Sequence, residues 1–376
     1  MYYKLSIIFG FKNRDTVRVR RCLDSLQQQS LKEFHVCFVD YGSEDNVSGE
    51  IQALVQRYSF CKYVHVPSQG QFWNRGHALN IGVRQSKPSE YILTTDIDLV
   101  FPPNFIENLI GYLRPDREVH FSARDLSQGF DRWGDLHHGK LYGESRPNTA
   151  LGLAQAVLRE KFEAINGFDE FYCIWGVEDE DLSERLTQIG VETKWVYRDD
   201  CVLYHQWHPT SGRRNFNLPS RWQEFLVKYK EGNKSSIRNS EDWGTFKSER
   251  AVLSKLETQS DGFVLDDIPL HLITLFIKQK VDEMSDGDVV KLTFKDSLYL
   301  SVENSRLMRF IKKINKFLDR KNSGLMLTND LNYYKKHHTV YDYRDAVAYF
   351  ILYNRRSLRD YFLEVKQDSL LFVISK

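Results

Sequence analysis

The chemically loaded positions of this chain lie at the ends of apolar runs. Tyr91-Ile-Leu-Thr-Thr-Asp96-Ile-Asp98-Leu99 is a strand-like run that closes on two carboxylates one residue apart. In extended backbone, residues i and i+2 project to the same side, so both acids can face one polyvalent cation. A hard cation such as Mg²⁺ or Mn²⁺ takes oxygen ligands and bridges phosphates with one or two protein carboxylates. An isolated Asp-x-Asp is equally compatible with a solvated turn, so its weight comes from its company. Val202-Leu-Tyr-His205-Gln-Trp-His208-Pro209 is a second strand-like run, and it carries two histidines near its end. Imidazole beside carboxylate favours Mn²⁺ over Mg²⁺.

Two more stretches point to a sugar and a diphosphate. Trp175-Gly-Val-Glu178-Asp179-Glu180-Asp181 heads a helix whose apolar Leu182, Leu186 and Ile189 recur at helical spacing before Gly190. Acids in a first turn complement the helix dipole, which accounts for some of them. Four acids crowded behind Trp-Gly also suit a cleft where a carboxylate takes a proton from a sugar hydroxyl. The dipole weakens such a base, so burial against Trp175 or bound substrate has to offset it. Phe72-Trp73-Asn74-Arg75-Gly76-His77-Ala78-Leu79-Asn80-Ile81-Gly82 sets an arginine at a helix start, well placed for a diphosphate. Gly76, Ala78 and Gly82 permit close packing there. Trp73 suits stacking on a base and filling a core equally well.

The elements that must position these residues alternate in type. Strand patterns cover Leu5–Phe9, Phe34–Val39, Tyr63–Val66 and Tyr91–Thr95. Helix patterns cover residues 17–26, Ile51–Tyr58, Arg75–Arg84 and a segment opened by Pro102-Pro103-Asn104 and running to about Leu113. Strand–helix alternation with short links predicts an α/β fold, a mostly parallel central sheet with helices on both faces. Such sheets bind ligands beyond the carboxyl ends of their strands. Lys12, Arg14, Asp40, Asp96 and Asp98 stand there. From Arg114 to Asn148 the pattern loosens around Asp131, Trp133, Asp135, His137 and His138, which reads as loops over a site or an insertion.

In this order and spacing the set resembles the family 2 glycosyltransferases and, in its acceptor and base segment, the β-1,4-galactosyltransferases. The resemblance runs from about residue 4 to 210. Ile7-Ile8-Phe9-Gly10-Phe11-Lys12-Asn13-Arg14 is similar to the family's nucleotide-binding opening, with Gly10 where proline is common. Asn74-Arg75 to Gly82 resembles its phosphate-contacting helix, and Asp96-Ile-Asp98 its metal motif. Asn166-Gly-Phe-Asp169-Glu to Trp175-Gly-Val-Glu178-Asp179 resembles its acceptor and base segment, with Val177 where the galactosyltransferases have glycine.

The resemblance implies a GT-A (Rossmann-like) fold, a UDP-sugar donor and an inverting displacement. By carry-over, Asp98 and His205 hold Mn²⁺ (or Mg²⁺), with His208 the competing ligand, and Asp179 is the catalytic base. Glu178 and Trp175 bind the acceptor. Gly10, Phe11, Lys12, Arg14, Asp40, Trp73, Arg75 and Asp96 line the nucleotide-sugar site. The hexose or N-acetylhexosamine then passes to a glycan or lipid-linked glycan in surface polysaccharide synthesis. A sugar-nucleotide nucleotidyltransferase is the enzymatic alternative, disfavoured because Phe9–Arg14 is not glycine-rich; an inactive binding module is the other.

Bulk properties set the outer bounds. At 376 residues two domains are expected: 1–245 catalytic, 246–261 a linker prefigured by the polar Lys230–Asn239, and 262–376 a smaller α/β or α+β domain. A net charge of +1 offers no whole-chain reason to bind nucleic acid. Five scattered cysteines without a C-x-x-C pair suit a reducing compartment. With no leader pattern and no apolar run of membrane-spanning length, the expected location is cytoplasmic, possible contact with the inner membrane face included. That contact would use residues 306–321, where Leu307, Phe310, Ile311, Ile314, Phe317 and Leu318 share one helical face and basic residues fill the other. The favoured expectation for this helix is core packing with a solvated basic face.

Overall fold

The first strand, β1 (Tyr3–Phe11), is buried from Leu5 to Phe9 and again at Phe11 because both of its faces are covered. In the computed structural model, which describes residues 2–138, 140–146, 151–209, 220–250, 252, 262–266, 268–295, 306–320, 339–354 and 357–376, two compact units form, Met1–Ser248 and Glu249–Lys376. The first unit continues with α1 (Thr16–Gln27), β2 (Phe34–Tyr41), α2 (Asp45–Val55), β3 (Cys61–Val66), α3 (Arg75–Gln85), β4 (Ser89–Thr95) and β5 (Leu99–Val100). There follow α4 (Phe105–Tyr112), β6 (Arg117–Phe121), β7 (Ala123–Asp125), β8 (Glu144–Ser145), β9 (Ala154–Leu158) and α5 (Arg159–Ala164). It closes with α6 (Glu178–Gln188), β10 (Glu192–Val196), β11 (Leu203–His205) and α7 (Ser220–Gly232).

The main sheet has seven strands in the order β10-β6-β9-β4-β1-β2-β3. Every pairing is parallel except those of β9, which runs antiparallel between β4 and β6. The pleat sorts the strand side chains into two cores. Leu5, Ile7, Phe9 and Phe11 of β1 join Val19, Leu23, Ile51, Phe105 and Leu109 from α1, α2 and α4. Ile8 of β1 joins Val39, Leu79, Val83, Phe162 and Leu186, which brings α3, α5 and α6 to the other face. Helices therefore cover both faces, as the alternating pattern predicts. Gly82 makes the α3 contact feasible, since a Cβ there would stand 2.3 Å from Ile8 Cγ2.

The region 114–148 departs from the loop reading. It supplies β6 to the main sheet, and β7 and β8 to a second sheet ordered β5-β11-β7-β8. Strands of two to five residues carry too little alternation to stand out in a sequence window. The stretch 230–239 also departs from the linker reading: α7 runs to Gly232, and Asn239 donates to the carbonyls of Asn166 (2.7 Å) and Phe168 (2.6 Å). Trp243 follows it into the core.

The second unit has a four-stranded sheet ordered β12 (Phe263–Asp266), β13 (Val289–Lys295), β15 (Ser369–Ser375) and β14 (Asp360–Val365). Its helices are α8 (Leu270–Asp282), α9 (Arg306–Arg320) and α10 (Val340–Asn354). The first strand pair is parallel and the others antiparallel, with α10 packed on α8 and on β13 to β15. Of the expected linker, only residues 246–250 and 252 are among the described residues. No helix among the described residues is long and apolar enough to cross a membrane. All five cysteines are described, and none forms a disulfide.

Candidate active site

The candidate site gathers at the carboxyl ends of β1, β2 and β4, where the second sheet abuts the first. After Thr95 the chain turns through Asp96-Ile-Asp98 into β5, which pairs antiparallel with β11 and sets His205 opposite Leu99. Gln206 N–H then donates to the Asp98 carbonyl (2.9 Å). Two segments more than a hundred residues apart are thereby locked in register, and both histidines reach one carboxylate. His205 Nε2 lies 3.6 Å from Asp98 Oδ1, and His208 Nε2 lies 3.3 Å from Asp98 Oδ2. The structure brings both imidazoles to Asp98.

The chemistry of this cluster fits a cation. Asp98 Oδ1 is buried and has no hydrogen-bond partner, a costly state for a carboxylate oxygen. His208 Nδ1 sits 3.0 Å from the Pro209 carbonyl and His205 Nδ1 sits 2.9 Å from Asp125 Oδ1. Both neighbours only accept, so each Nδ1 carries a hydrogen and each Nε2 is the ring nitrogen left to face Asp98 and any cation held beside it. Asp98, His205 and His208 thus offer three ligand atoms within 4.8 Å of one another. Burial alone would raise the Asp98 carboxyl, but the two imidazoles override it and hold it far below the usual carboxylate range. The hydrogen bond with Asp98 in turn raises His208.

On the other side of Asp96 the site is organised by Arg75, the first residue of α3. Asn74 caps this helix by accepting from His77 N–H (2.8 Å). The half-buried guanidinium donates from Nε to Asp96 Oδ1 (3.2 Å), from Nη1 to Asp179 Oδ1 (2.6 Å) and from Nη2 to the Gly152 carbonyl (2.5 Å). Burial would lower its pKa, but Asp179, Asp96 and Glu178 raise it, so the charge is permanent. In this state Arg75 is tied to the site's acids and does not stand open for a diphosphate. Gly152 is needed for the arrangement: its φ is +92°, and a Cβ would fall 1.9 Å from Asp179 Oδ2.

Glu178 and Asp179 open α6 after a tense approach. Ile174 (φ 73°), Gly176 (φ 104°) and Val177 (φ 75°) all lie in the left-handed region. For the two β-branched residues this costs on the order of 1–3 kcal/mol each. The strain falls on the loop that presents Trp175, whose side chain is 55% exposed. Glu178 is buried, and burial, then the charge of Asp179, pushes its carboxyl up to about 7, against the pull of Arg75.

The nucleotide end divides the expected residues. Gly10 and Phe11 are consecutive in a strand and so point to opposite faces. Phe11 is 1% exposed and packs on Phe38 at 5.3 Å, so its ring belongs to the core and leaves only its backbone for a ligand contact. Gly10 lies under Trp73, whose Cη2 is 3.1 Å from the position of a Cβ. Trp73 itself is half-buried, edge-on to Tyr41 at 5.7 Å. Asp40 is fully buried: Oδ1 accepts from Ser43 N–H (3.1 Å) and Oδ2 from Tyr63 O–H (2.8 Å). Lys12 Nζ donates to the Gln71 carbonyl (3.0 Å), and Arg14 is half-buried in the same loop.

Three contributors were missed in the sequence: Asp125, Arg146 and Gly152. Asp125 carries the same signal as Asp98, an acid at a strand end, but in a region read as loops.

Residues 6–167 match the family model described as glycosyl transferase family 2. Over that span the first unit is similar to the family 2 glycosyltransferases. Residues 139–206 also match the model described as the N-terminal domain of galactosyltransferase, a segment that contains Glu178, Asp179 and His205. Over 184 residues the chain is 25% identical to N-acetyl-beta-glucosaminyl-glycoprotein 4-beta-N-acetylgalactosaminyltransferase 1 of Mus musculus, covering 48% of this chain and 16% of that protein. Over 241 residues it is 23% identical to an uncharacterized glycosyltransferase of Rickettsia bellii (strain RML369-C), covering 57% of this chain and 32% of that one. The match thus spans less than a third of the length of either curated relative. Among solved structures, the mannosyltransferase PcManGT from Pyrobaculum calidifontis, in complex with GDP-Man and Mn²⁺, is similar with a TM-score of 0.43 at 16% identity, covering 62% of this chain and 66% of that one.

Proposed function

We propose that the glycosyltransferase domain transfers a hexose or N-acetylhexosamine from a UDP-sugar to a glycan hydroxyl, with inversion and with a divalent metal, in building a surface polysaccharide. The observation that carries the reading is the convergence of Asp98, His205 and His208 beside the Arg75–Asp96–Asp179 cluster. In this reading Asp98, His205 and His208 hold Mn²⁺ (or Mg²⁺), which when bound supplies Lewis-acid stabilisation of the departing diphosphate.

The chain's own residues do the rest. Asp96 contacts the donor, and Lys12, Arg14, Gly10, Trp73 and Asp40 frame the nucleotide. Arg75 turns from Asp179 to the diphosphate, whose charge grows as the bond to the anomeric carbon breaks. That turn frees Asp179 to take the proton of the acceptor hydroxyl as its oxygen attacks the anomeric carbon, while UDP leaves with the electron pair. Glu178 and Trp175 hold the acceptor sugar. Incubating the protein with a panel of UDP-sugars and a glycan acceptor, with Mn²⁺ or with chelator, is expected to give UDP release only with metal. Equal release in chelator would refute the metal-dependent reading.

A lipid-linked glycan acceptor is part of the same proposal, and α9 supports it. On its apolar face Ile311, Ile314 and Leu318 are half-buried, while Leu307, Phe310 and Phe317 are 67%, 60% and 56% exposed. Arg309, Lys312, Lys313 and Lys316 are exposed beside them. Exposed apolar and basic faces on one helix suit the surface of an anionic bilayer. The protein is expected to sediment with vesicles rich in phosphatidylglycerol and not with phosphatidylcholine alone. Replacing Lys312, Lys313 and Lys316 by Gln should release it; unchanged sedimentation would dispose of the membrane contact.

A further inference from the structure

We infer that Asp125 is a positioning residue: its carboxylate sets the tautomer and direction of His205, so that Nε2 faces Asp98. The inference rests on the metal-dependent reading above and extends it to a residue outside the ligand set. The parallel pairing of β7 with β11 places Asp125 directly beside His205. Asp125 Oδ1 lies 2.9 Å from Nδ1, while the opposite ring nitrogen lies 3.6 Å from Asp98 Oδ1. A ring with hydrogen on Nδ1 keeps a lone pair on Nε2; with the hydrogen on Nε2 it offers Asp98 a donor and no cation a ligand. Carboxylate–imidazole pairs behind a metal also raise the basicity of the ligand.

Asp125 is itself held from behind. Arg146 Nε donates to both carboxylate oxygens (2.8 and 2.9 Å), and Arg146 N–H donates to the Ala123 carbonyl (2.9 Å). Arg124, next along β7, clamps the returning chain at the Tyr142 (2.9 Å) and Gly143 (2.7 Å) carbonyls. The β7–β8 hairpin thus fixes the carboxylate that fixes the imidazole.

Two readouts on the full-length protein test this without turnover: Mn²⁺ affinity from the electron paramagnetic resonance signal of free Mn²⁺, and the His205 tautomer from ¹⁵N–¹H correlation spectra. Asp125→Ala is expected to weaken Mn²⁺ binding about 10–100-fold and to move His205 from Nδ1–H toward a mixture with Nε2–H. Asp125→Asn keeps an acceptor oxygen and should restore the tautomer in large part. Arg146→Met removes the ion pair but leaves the carboxylate on His205, so tautomer and affinity should persist. An equal loss in Arg146→Met and Asp125→Ala would trace the effect to hairpin packing and overturn the inference. Unchanged binding and tautomer in Asp125→Ala, with binding weakened in His205→Ala, would overturn it while leaving the metal reading intact. Unchanged binding in His205→Ala would overturn both.

Discussion

Replacing Asp98 by alanine is expected to lower kcat/KM for Mn²⁺-dependent UDP release by roughly 10³-fold or more, the scale on which enzymes lose rate when charge stabilisation at a leaving group is removed. The size of the effect follows from the geometry. Asp98 is the member of the cluster that both imidazoles face, at 3.6 and 3.3 Å. Without it the two rings are left with no anion between them, so metal affinity and the diphosphate's charge partner go together. The fold should survive, because β5 and β11 are held by backbone pairing and by Gln206 N–H on the residue-98 carbonyl, which alanine keeps. Circular dichroism and thermal melting serve as the controls. A well-folded Asp98→Ala protein that keeps Mn²⁺-stimulated turnover near the wild-type value contradicts the proposed metal role.

The second large effect is expected at Asp179. Asp179→Asn should reduce kcat by about 10²–10⁴-fold, the usual worth of a positioned general base, with little change in the KM for the donor. Asparagine preserves shape and can still accept from Arg75 Nη1, so the resting contact at 2.6 Å survives while proton acceptance is lost. The neighbouring Glu178→Gln is the necessary comparison, because Glu178 is the acid that burial pushes up to about 7. In the proposed roles Glu178 binds the acceptor, so Glu178→Gln should act through the acceptor KM. The pH sign follows from the raised value. Below about 7 the wild-type Glu178 is protonated and accepts hydrogen bonds from sugar hydroxyls less strongly, so the acceptor KM should rise as pH falls through that point. Glu178→Gln should flatten the dependence. If Glu178→Gln instead costs more in kcat than Asp179→Asn, the base assignment passes to Glu178.

The two experiments address linked parts of one site. Arg75 joins Asp96, two residues before the proposed metal ligand, to Asp179, the proposed base. Neighbours that share a partner need not add, so an Asp98→Ala/Asp179→Asn double variant should lose less than the product of the single losses.

Much of this was legible in the sequence because it is local. The strand at 89–95 closing on Asp96 and Asp98, the helix that opens at Arg75 behind an asparagine cap, and the acids at the head of α6 are set by periodicity and capping within short windows. Those signals determined an alternating α/β unit and the residue types gathered at its strand ends. Tertiary structure decided which of them meet. The antiparallel entry of β9 depends on partners distant in sequence and leaves no local mark, and the same holds for β5 against β11. That second pairing brings both His205 and His208 to Asp98, and its neighbour β7 adds Asp125, which no window containing the histidines could reveal. The pleat turned Phe11 into the core and Tyr63 closed over Asp40, because a side chain's face depends on what covers its strand. Composition and period fix which elements form; register and layer order, set by contacts across the whole chain, fix the chemistry they share.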